Sequence, residues 1–234
     1  KNQMPRKYRG LNIKGGSMNN ILLCPSMMCA DFTNLSREVR ELENAGIDIF
    51  HCDVMDCNFV PNMALGMEDL KAIRKLTKKT MDVHLMVEHP SKIIDLFLDV
   101  GADIIYIHPE SERYVIKTLL NIKSHGINTG LAINPDTSIA TIEEMLSLVD
   151  YLMVMTVNPG FSGQKFIQLT KAKIKRIVDM KTIYNYKIII DGACSKEIIK
   201  EFSTLGVDGF ILGTSSLFNK EDSYKDTMST IRSL

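Results

Sequence analysis

From Ile21 onward, short runs rich in Ile, Val, Leu and Met recur eight times. Between them lie stretches whose apolar residues are spaced three and four apart. Runs that are apolar on both faces suit parallel strands covered by helices. The spacing places strands at 21–26, 47–53, 81–86, 103–108, 128–133, 151–157, 187–191 and 208–212. Leu35, Val39, Leu42 and Ala45 form one helical stripe, and Ile174, Ile177 and Val178 another. Thr33 or Asn34 suits the start of the first helix and Ala45-Gly46 its end. Ser91, after Pro90, opens a later helix that Gly101 ends, while Gly126 and Gly206 close others. Eight β-α units in about 200 residues predict an α/β fold of the closed (β/α)8 TIM-barrel type, with a helix after each strand. An open doubly wound sheet would carry G-x-G-x-x-G after its first strand. Here that strand runs into Pro25-Ser26-Met27-Met28-Cys29. Val54 to Gly66 is the longest candidate loop and would lie over the active face.

A single barrel domain is assigned to residues 18–234 of the 234-residue chain. The preceding stretch carries Lys1, Arg6, Lys7, Arg9 and Lys14 with no acid, and Gly15-Gly16-Ser17 leads into Met18. Residues 1–17 are expected to be an appended or disordered leader ahead of a natural start at Met18, a basic transit peptide being the alternative. The formal net charge of zero argues against nucleic-acid binding. No apolar run approaches the roughly 20 residues of a membrane span, so no membrane partner is expected. Cys24, Cys29, Cys52, Cys57 and Cys194 are odd in number and form no C-x-x-C pair. They read as small buried hydrophobes in a reducing compartment, the cytoplasm, with a zinc ribbon or a thiol nucleophile as the alternative.

In a barrel, chemistry gathers where strands meet the loops that follow them. His51, Asp53, His84 and Asp191 fall at the downstream ends of three predicted strands. They converge only if the strands are parallel and share one carboxyl-end face. His51 and Asp53, two residues apart, point to the same side of a strand. Mixed His/Asp sets suit divalent zinc, manganese, cobalt or ferrous iron, and a carboxylate held there can also move a proton. Asp191, after the apolar run Ile188-Ile189-Ile190, would otherwise be a costly buried charge or a helix cap. His108 reads as supporting or structural, and His89 and His125, in loops, carry no signal.

Three glycine-bearing turns follow strands six, seven and eight. They are Asn158-Pro159-Gly160-Phe161-Ser162-Gly163, Gly192-Ala193, and Gly213-Thr214-Ser215, the last opening a short helical segment. Small residues let backbone N–H groups surround an anion, and three such turns on adjacent strands read as a phosphate cradle. In a chain with 14 methionines, Met55, Met86 and Met155 read equally as core filling or as a dry wall over a charged intermediate. No lysine occupies a strand's carboxyl end, which removes the usual Schiff-base aldolase reading. The Asp-x-Lys-x-x-Asp constellation of the orotidine-phosphate decarboxylases is also missing.

At these residues the chain resembles the ribulose-phosphate 3-epimerase family, from Leu22 to about Phe218. The resemblance rests on Pro25 to Phe32, His51-Cys52-Asp53-Val54-Met55-Asp56, Val83-His84-Leu85-Met86-Val87, Val157 to Phe166, and Asp191-Gly192. It implies a metal-dependent phosphate-binding barrel that interconverts D-ribulose 5-phosphate and D-xylulose 5-phosphate at carbon 3, in the pentose phosphate pathway. It implies one divalent ion per subunit on His51, Asp53, His84 and Asp191, zinc first, with iron(II), manganese or cobalt as alternatives. Asp53 and Asp191 would be the catalytic carboxylates, with Ser26, His84 and Asp191 on the sugar. Gly160, Phe161, Ser162, Gly163, Gly192, Ala193, Gly213 and Thr214 would receive phosphate or its neighbouring carbon. Kinship also implies a homo-oligomer, dimer or hexamer. The family commonly has Gly where Ala193 stands and often Ser where Thr214 stands, which leaves backbone donors intact. Two other readings stand beside this one: epimerisation of a related ketose phosphate such as a hexulose phosphate, and a non-catalytic phosphate- or metal-binding barrel.

Overall fold

The apolar runs are buried on both sides and pair in parallel, as unpunctuated Ile/Val/Leu stretches require. The computed structural model describes residues 21–234; the expected leader and the start at Met18 lie outside the described residues. Among the described residues nine strands form: β1 (Leu22–Pro25), β2 (Ile49–Asp56), β3 (Met63–Ala64), β4 (Thr80–Met86), β5 (Ile104–Ile107), β6 (Asn128–Ile133), β7 (Tyr151–Met155), β8 (Lys187–Asp191) and β9 (Gly209–Leu212). They run in the order β1-β9-β8-β7-β6-β5-β4-β2-β3, all parallel except the two-residue β3, which turns back on β2. The ends of this row meet: Ser26, just past β1, bridges in parallel to His51 of β2, and the Asp48 N–H donates to the Leu23 carbonyl at 3.0 Å. The eight parallel strands therefore close into a single-domain (β/α)8 barrel.

Helices α1 (Leu35–Asn44), α2 (Met67–Leu76), α3 (Ile94–Leu98), α4 (Val115–Ser124), α5 (Thr170–Met180), α6 (Lys196–Leu205) and α7 (Tyr224–Arg232) cover the outside. The larger core lies between strands and helices, with Val39, Leu42, Ile73, Leu119, Ile174 and Phe202 facing outward strand residues. A second cluster fills the cylinder: Cys24, Ile49, Ile104, Tyr106, Ala132, Met153, Met155, Ile189 and Ile211. Tyr106 is the bulkiest of these, and Gly130 opposite it makes room: a Cβ there would stand 2.3 Å from the tyrosine ring.

Four details depart from expectation. The unit after β6 has no α-helix; Ile139–Thr141 and Glu143–Leu148 are 3-10 turns that still bury Ile139, Ile142 and Leu146. Strand β2 continues through Val54, Met55 and Asp56, because Met55 and Asp56 pair with Ala64 and Met63, so the loop shrinks to 57–62. Neither Thr33 nor Asn34 caps α1 with its side chain; Asp31 accepts from the Thr33 N–H at 2.9 Å and starts a 3-10 turn ahead of the helix. Gly213 likewise leads into turns over 214–219 instead of a helix.

The amino ends of the strands carry a repeated device that the sequence reading passed over. Asp48, Asp103, Asp150 and Asp208 each accept a backbone N–H from a neighbouring strand region, of Leu23, Met81, Thr129 and Ile188, at 2.7–2.9 Å. Each also faces a basic side chain: Arg232, Arg74, Lys123 and Lys181 respectively. In three cases a glycine at positive φ sits two residues earlier and ends the preceding segment, as at Gly206, φ +112°. This staples the face of the barrel that in such folds serves stability.

Candidate active site

Strand register gathers the site. Along β2 and β4, His51 lies opposite Asp82, Asp53 opposite His84, and Met55 opposite Met86. Alternation turns all six residues inward in three layers. Across the barrel, β8 ends in Asp191, whose register partner on β7 is Met155. One ligand atom from each of His51, Asp53, His84 and Asp191 lies within 4.8 Å of the others. Both imidazoles are fully buried, Asp53 is 3 % exposed, and the Asp191 side chain 16 %.

Asp53 is the hub. Its Oδ1 lies 3.0 Å from His51 Nε2 and 3.0 Å from His84 Nδ1, while its Oδ2 accepts from the Ser26 hydroxyl at 2.7 Å. His51 Nδ1 meets Asp82 Oδ1 at 2.6 Å. That carboxylate takes the ring's N–H, so a neutral His51 turns a bare lone pair toward Asp53. Lone pairs facing a carboxylate oxygen call for positive charge between them. The donor set therefore fits a divalent cation, which would replace repulsion by coordination.

The titrating groups respond in the same sense. Burial alone would lower His51, but the Asp53 and Asp82 carboxylates outweigh it and hold the imidazole well above its usual range. Burial would raise Asp53, yet His51 and then His84 bring it below the ordinary carboxylate range. Asp191 goes the other way: burial first and the Asp53 charge second push it up to about 6. Two carboxylates in one site with affinities driven apart are what a proton-transfer pair requires.

Above the cluster opens a cleft of about 550 Å³. Ser26, Asp53, Asp191, Met55, Met86 and Met155 line it, as do Gly160, Phe161, Ser162, Gly163, Gly192, Ala193, Gly213 and Thr214. His51 and His84 lie beneath this surface, both at 0 % exposure, so His84 reaches the cleft only through its neighbours. Met55 and Met86 pack with Val60 under Met28 and Phe59, whereas Met155 belongs to the barrel interior; all three are both buried and cleft-lining. The three glycine-bearing turns thus share one wall. Among the described residues, the N–H groups of Ala193, Thr214 and Ser215 donate to no backbone carbonyl, which leaves them free for an anion.

Two side-chain ties hold that wall in place. Gln164 Nε2 donates to the Asn158 and Phe161 carbonyls at 2.6 and 2.9 Å. Asn62 Nδ2 donates across the mouth to the Gly160 carbonyl at 2.7 Å. Gly192 has φ +114°, and a Cβ there would stand 2.6 Å from Val157 Cγ2 and 2.9 Å from the Val157 backbone nitrogen. Gly192→Ala is therefore expected to cost about 2–4 kcal/mol, from a left-handed backbone and a clash together. Urea denaturation that leaves the midpoint unchanged would show the turn to be more accommodating than this geometry.

Sequence reasoning missed Asp82 as the partner of His51 and gave His108 no specific part. His108 Nε2 stands 2.8 Å from His84 Nε2. The signal for Asp82 was available: Asp82-x-His84 mirrors His51-x-Asp53 on the paired strand.

A closed parallel barrel with a buried His/Asp set that could hold a divalent ion, below a cleft at its carboxyl-end mouth, defines a class: (β/α)8 barrels with their site at the strands' carboxyl ends. Comparison with known proteins narrows it. The model of the ribulose-phosphate 3 epimerase family matches residues 22–218. The ribulose-phosphate 3-epimerase of Bacillus subtilis is 38% identical over 215 residues, covering 91% of this chain and 98% of that relative. That of Escherichia coli is 36% identical over 220 residues, covering 92% and 96%. The chain belongs to the ribulose-phosphate 3-epimerase family, whose curated relatives here are isomerases. Among solved structures, thiamine phosphate pyrophosphorylase from Pyrococcus furiosus aligns with TM-score 0.63 at 19% identity, over 92% of this chain and 96% of that one. Phosphoribosyl anthranilate isomerase from Thermus thermophilus aligns at TM-score 0.63 and 10% identity, over 91% and 99%. Both likenesses concern the fold alone. No helix among the described residues is long and apolar enough to cross a membrane.

Proposed function

We propose that the chain catalyses the reversible epimerisation of D-ribulose 5-phosphate to D-xylulose 5-phosphate, with Asp53 and Asp191 as the two proton-transferring carboxylates. The observation that carries the reading is the pair itself: two aspartates on strands β2 and β8, three steps apart around the ring, share one metal-binding cluster yet hold protons with different strength. Inversion at carbon 3 needs one proton removed from one face and another delivered to the opposite face. The proton lies beside a carbonyl, so its loss leaves an enediolate. Carboxylates on either side of a flat intermediate can exchange the parts of base and acid.

His51, Asp53, His84 and Asp191 would hold the ion, zinc first and iron(II), manganese or cobalt as alternatives. When bound, it supplies positive charge for the developing enediolate oxygens. Asp82 and Ser26 hold His51 and Asp53 in position from behind. The N–H groups of the glycine-bearing turns would take the phosphate, so that binding at a distance orients carbon 3. Met55, Met86 and Met155 would form an apolar wall that keeps water from the intermediate. The five free cysteines fit a reducing cytoplasm, although Cys57 is exposed and Cys29 half-buried, against the expectation of buried thiols.

Incubation with ribulose 5-phosphate in deuterium oxide tests the reading directly. Xylulose 5-phosphate should form, with deuterium at carbon 3. Absence of product would refute the assigned activity. Product without deuterium would refute a scheme in which the two carboxylates trade protons with solvent between turnovers. A larger rate on a hexulose phosphate than on ribulose 5-phosphate would favour the related six-carbon reaction.

A further inference from the structure

We propose that His108, held by Glu110, is a positioning residue that fixes the tautomer of His84 and so turns the Nδ1 lone pair of His84 toward the ion position. The inference rests on the metal-binding reading above. His84 Nε2 and His108 Nε2 are 2.8 Å apart, and two ring nitrogens that close need one hydrogen between them. Which ring supplies it is decided at the far end of the chain of contacts. His108 Nδ1 stands 3.3 Å from Glu110 Oε2. The other oxygen of that carboxylate accepts from the Asn134 N–H at 2.9 Å and from the Thr137 hydroxyl, so Glu110 is already engaged as an acceptor. His108 therefore donates from Nδ1 and accepts at Nε2.

The consequence passes inward. His84 must donate from Nε2, and its Nδ1 is left bare 3.0 Å from Asp53 Oδ1 and 3.8 Å from Asp191 Oδ2. The opposite tautomer would point an N–H at Asp53 and satisfy that carboxylate without any ion. No other contact of His108 among the described residues requires a buried histidine at this position. The two imidazoles lie within 25° of coplanar with centroids 5.0 Å apart, as an in-plane contact between ring nitrogens requires; Phe59 covers His108 at 4.9 Å, and His108 is fully buried, so no water competes for its nitrogens. Glu110–His108–His84 would thus do for one imidazole what Asp82 does for His51. Partners of this kind typically change metal affinity 10–100-fold.

The test is zinc binding to metal-stripped full-length protein, by competition with a chromogenic chelator, alongside 15N spectra of the imidazoles. Wild type should bind zinc and, before loading, show His84 protonated at Nε2 and bare at Nδ1. Glu110→Gln presents an amide N–H₂ to His108, since its oxygen is claimed by Asn134 and Thr137. It should reverse both tautomers and weaken zinc about 10–100-fold. His108→Leu, which removes the acceptor, should weaken zinc to the same degree. His108→Gln, whose amide oxygen can replace the Nε2 acceptor, should recover most of that loss. Wild-type affinity and an unchanged His84 spectrum in Glu110→Gln would overturn the proposal while leaving the metal site standing. A wild type that binds no zinc would instead remove the metal reading on which it rests. Should His108→Leu fail to fold, the near-isosteric Glu110→Gln decides alone.

Discussion

Replacing either site aspartate by asparagine should lower kcat for ribulose 5-phosphate epimerisation by about 10³-fold, as expected when a general acid or base is lost. The two losses differ in character. Asp191→Asn leaves Asp53 between its two imidazoles but removes one proton carrier and one of the four candidate ligands, so turnover should fall and zinc should be held less tightly. Asp53→Asn removes the negative charge on which His51, His84 and the Ser26 hydroxyl converge, so zinc affinity should fall further. In both variants the turns at Gly160–Gly163, Gly192 and Gly213 are untouched, and affinity for a phosphorylated competitive inhibitor should stay within a few fold. Steady-state rates near wild type in both variants would refute the two-carboxylate scheme. A loss confined to phosphate affinity would move these residues out of the chemistry.

The second large effect is one of stability, and its sign depends on the ion. In metal-free protein Asp191 binds its proton more tightly folded than unfolded, having risen from 3.8 to about 6. A raised carboxylate contributes most below its unfolded pKa, and that contribution is lost as pH rises through 6. Metal-free Asp191→Asn, neutral at every pH, should therefore be more stable than wild type at pH 8, by on the order of 2–3 kcal/mol. The advantage should largely persist at pH 6, shrink as pH falls from 6 toward 3.8, and be small by pH 4. Zinc at a thousand times its Kd should add about 4 kcal/mol to wild type and much less to the variant, reversing their order. Thermal melts at pH 4, 6 and 8, with and without zinc, read both halves. No advantage of the variant at pH 8 would mean that Asp191 pays no burial cost, and equal zinc stabilisation would mean that it is no ligand.

Much of the barrel was legible because parallel strands buried on both faces leave unbroken apolar runs. The convergence of His51, Asp53, His84 and Asp191 was legible because polar residues that end parallel runs meet at one mouth of the barrel. Asp82 escaped because it stands near the start of its run, on the end that serves stability. Only the register of β2 on β4 brings it opposite His51, and register is a tertiary fact. The 3-10 turns after β6 escaped for a related reason: Ile139, Ile142 and Leu146 keep a helical spacing that either helix type can bury. Asn62 gave no local hint, since its partner Gly160 is 98 residues away.

The meeting of Ser26 with His51 lies at the seam where the first and second strands join, and β1 is flanked on its other edge by β9, near the end of the chain. Both imidazoles come from the early half of the polypeptide and Asp191 from the late half. Neither portion alone assembles four ligands. Ion capture during refolding should consequently lag behind secondary structure and coincide with the last annealing event, making a bound metal a reporter of completed circularity.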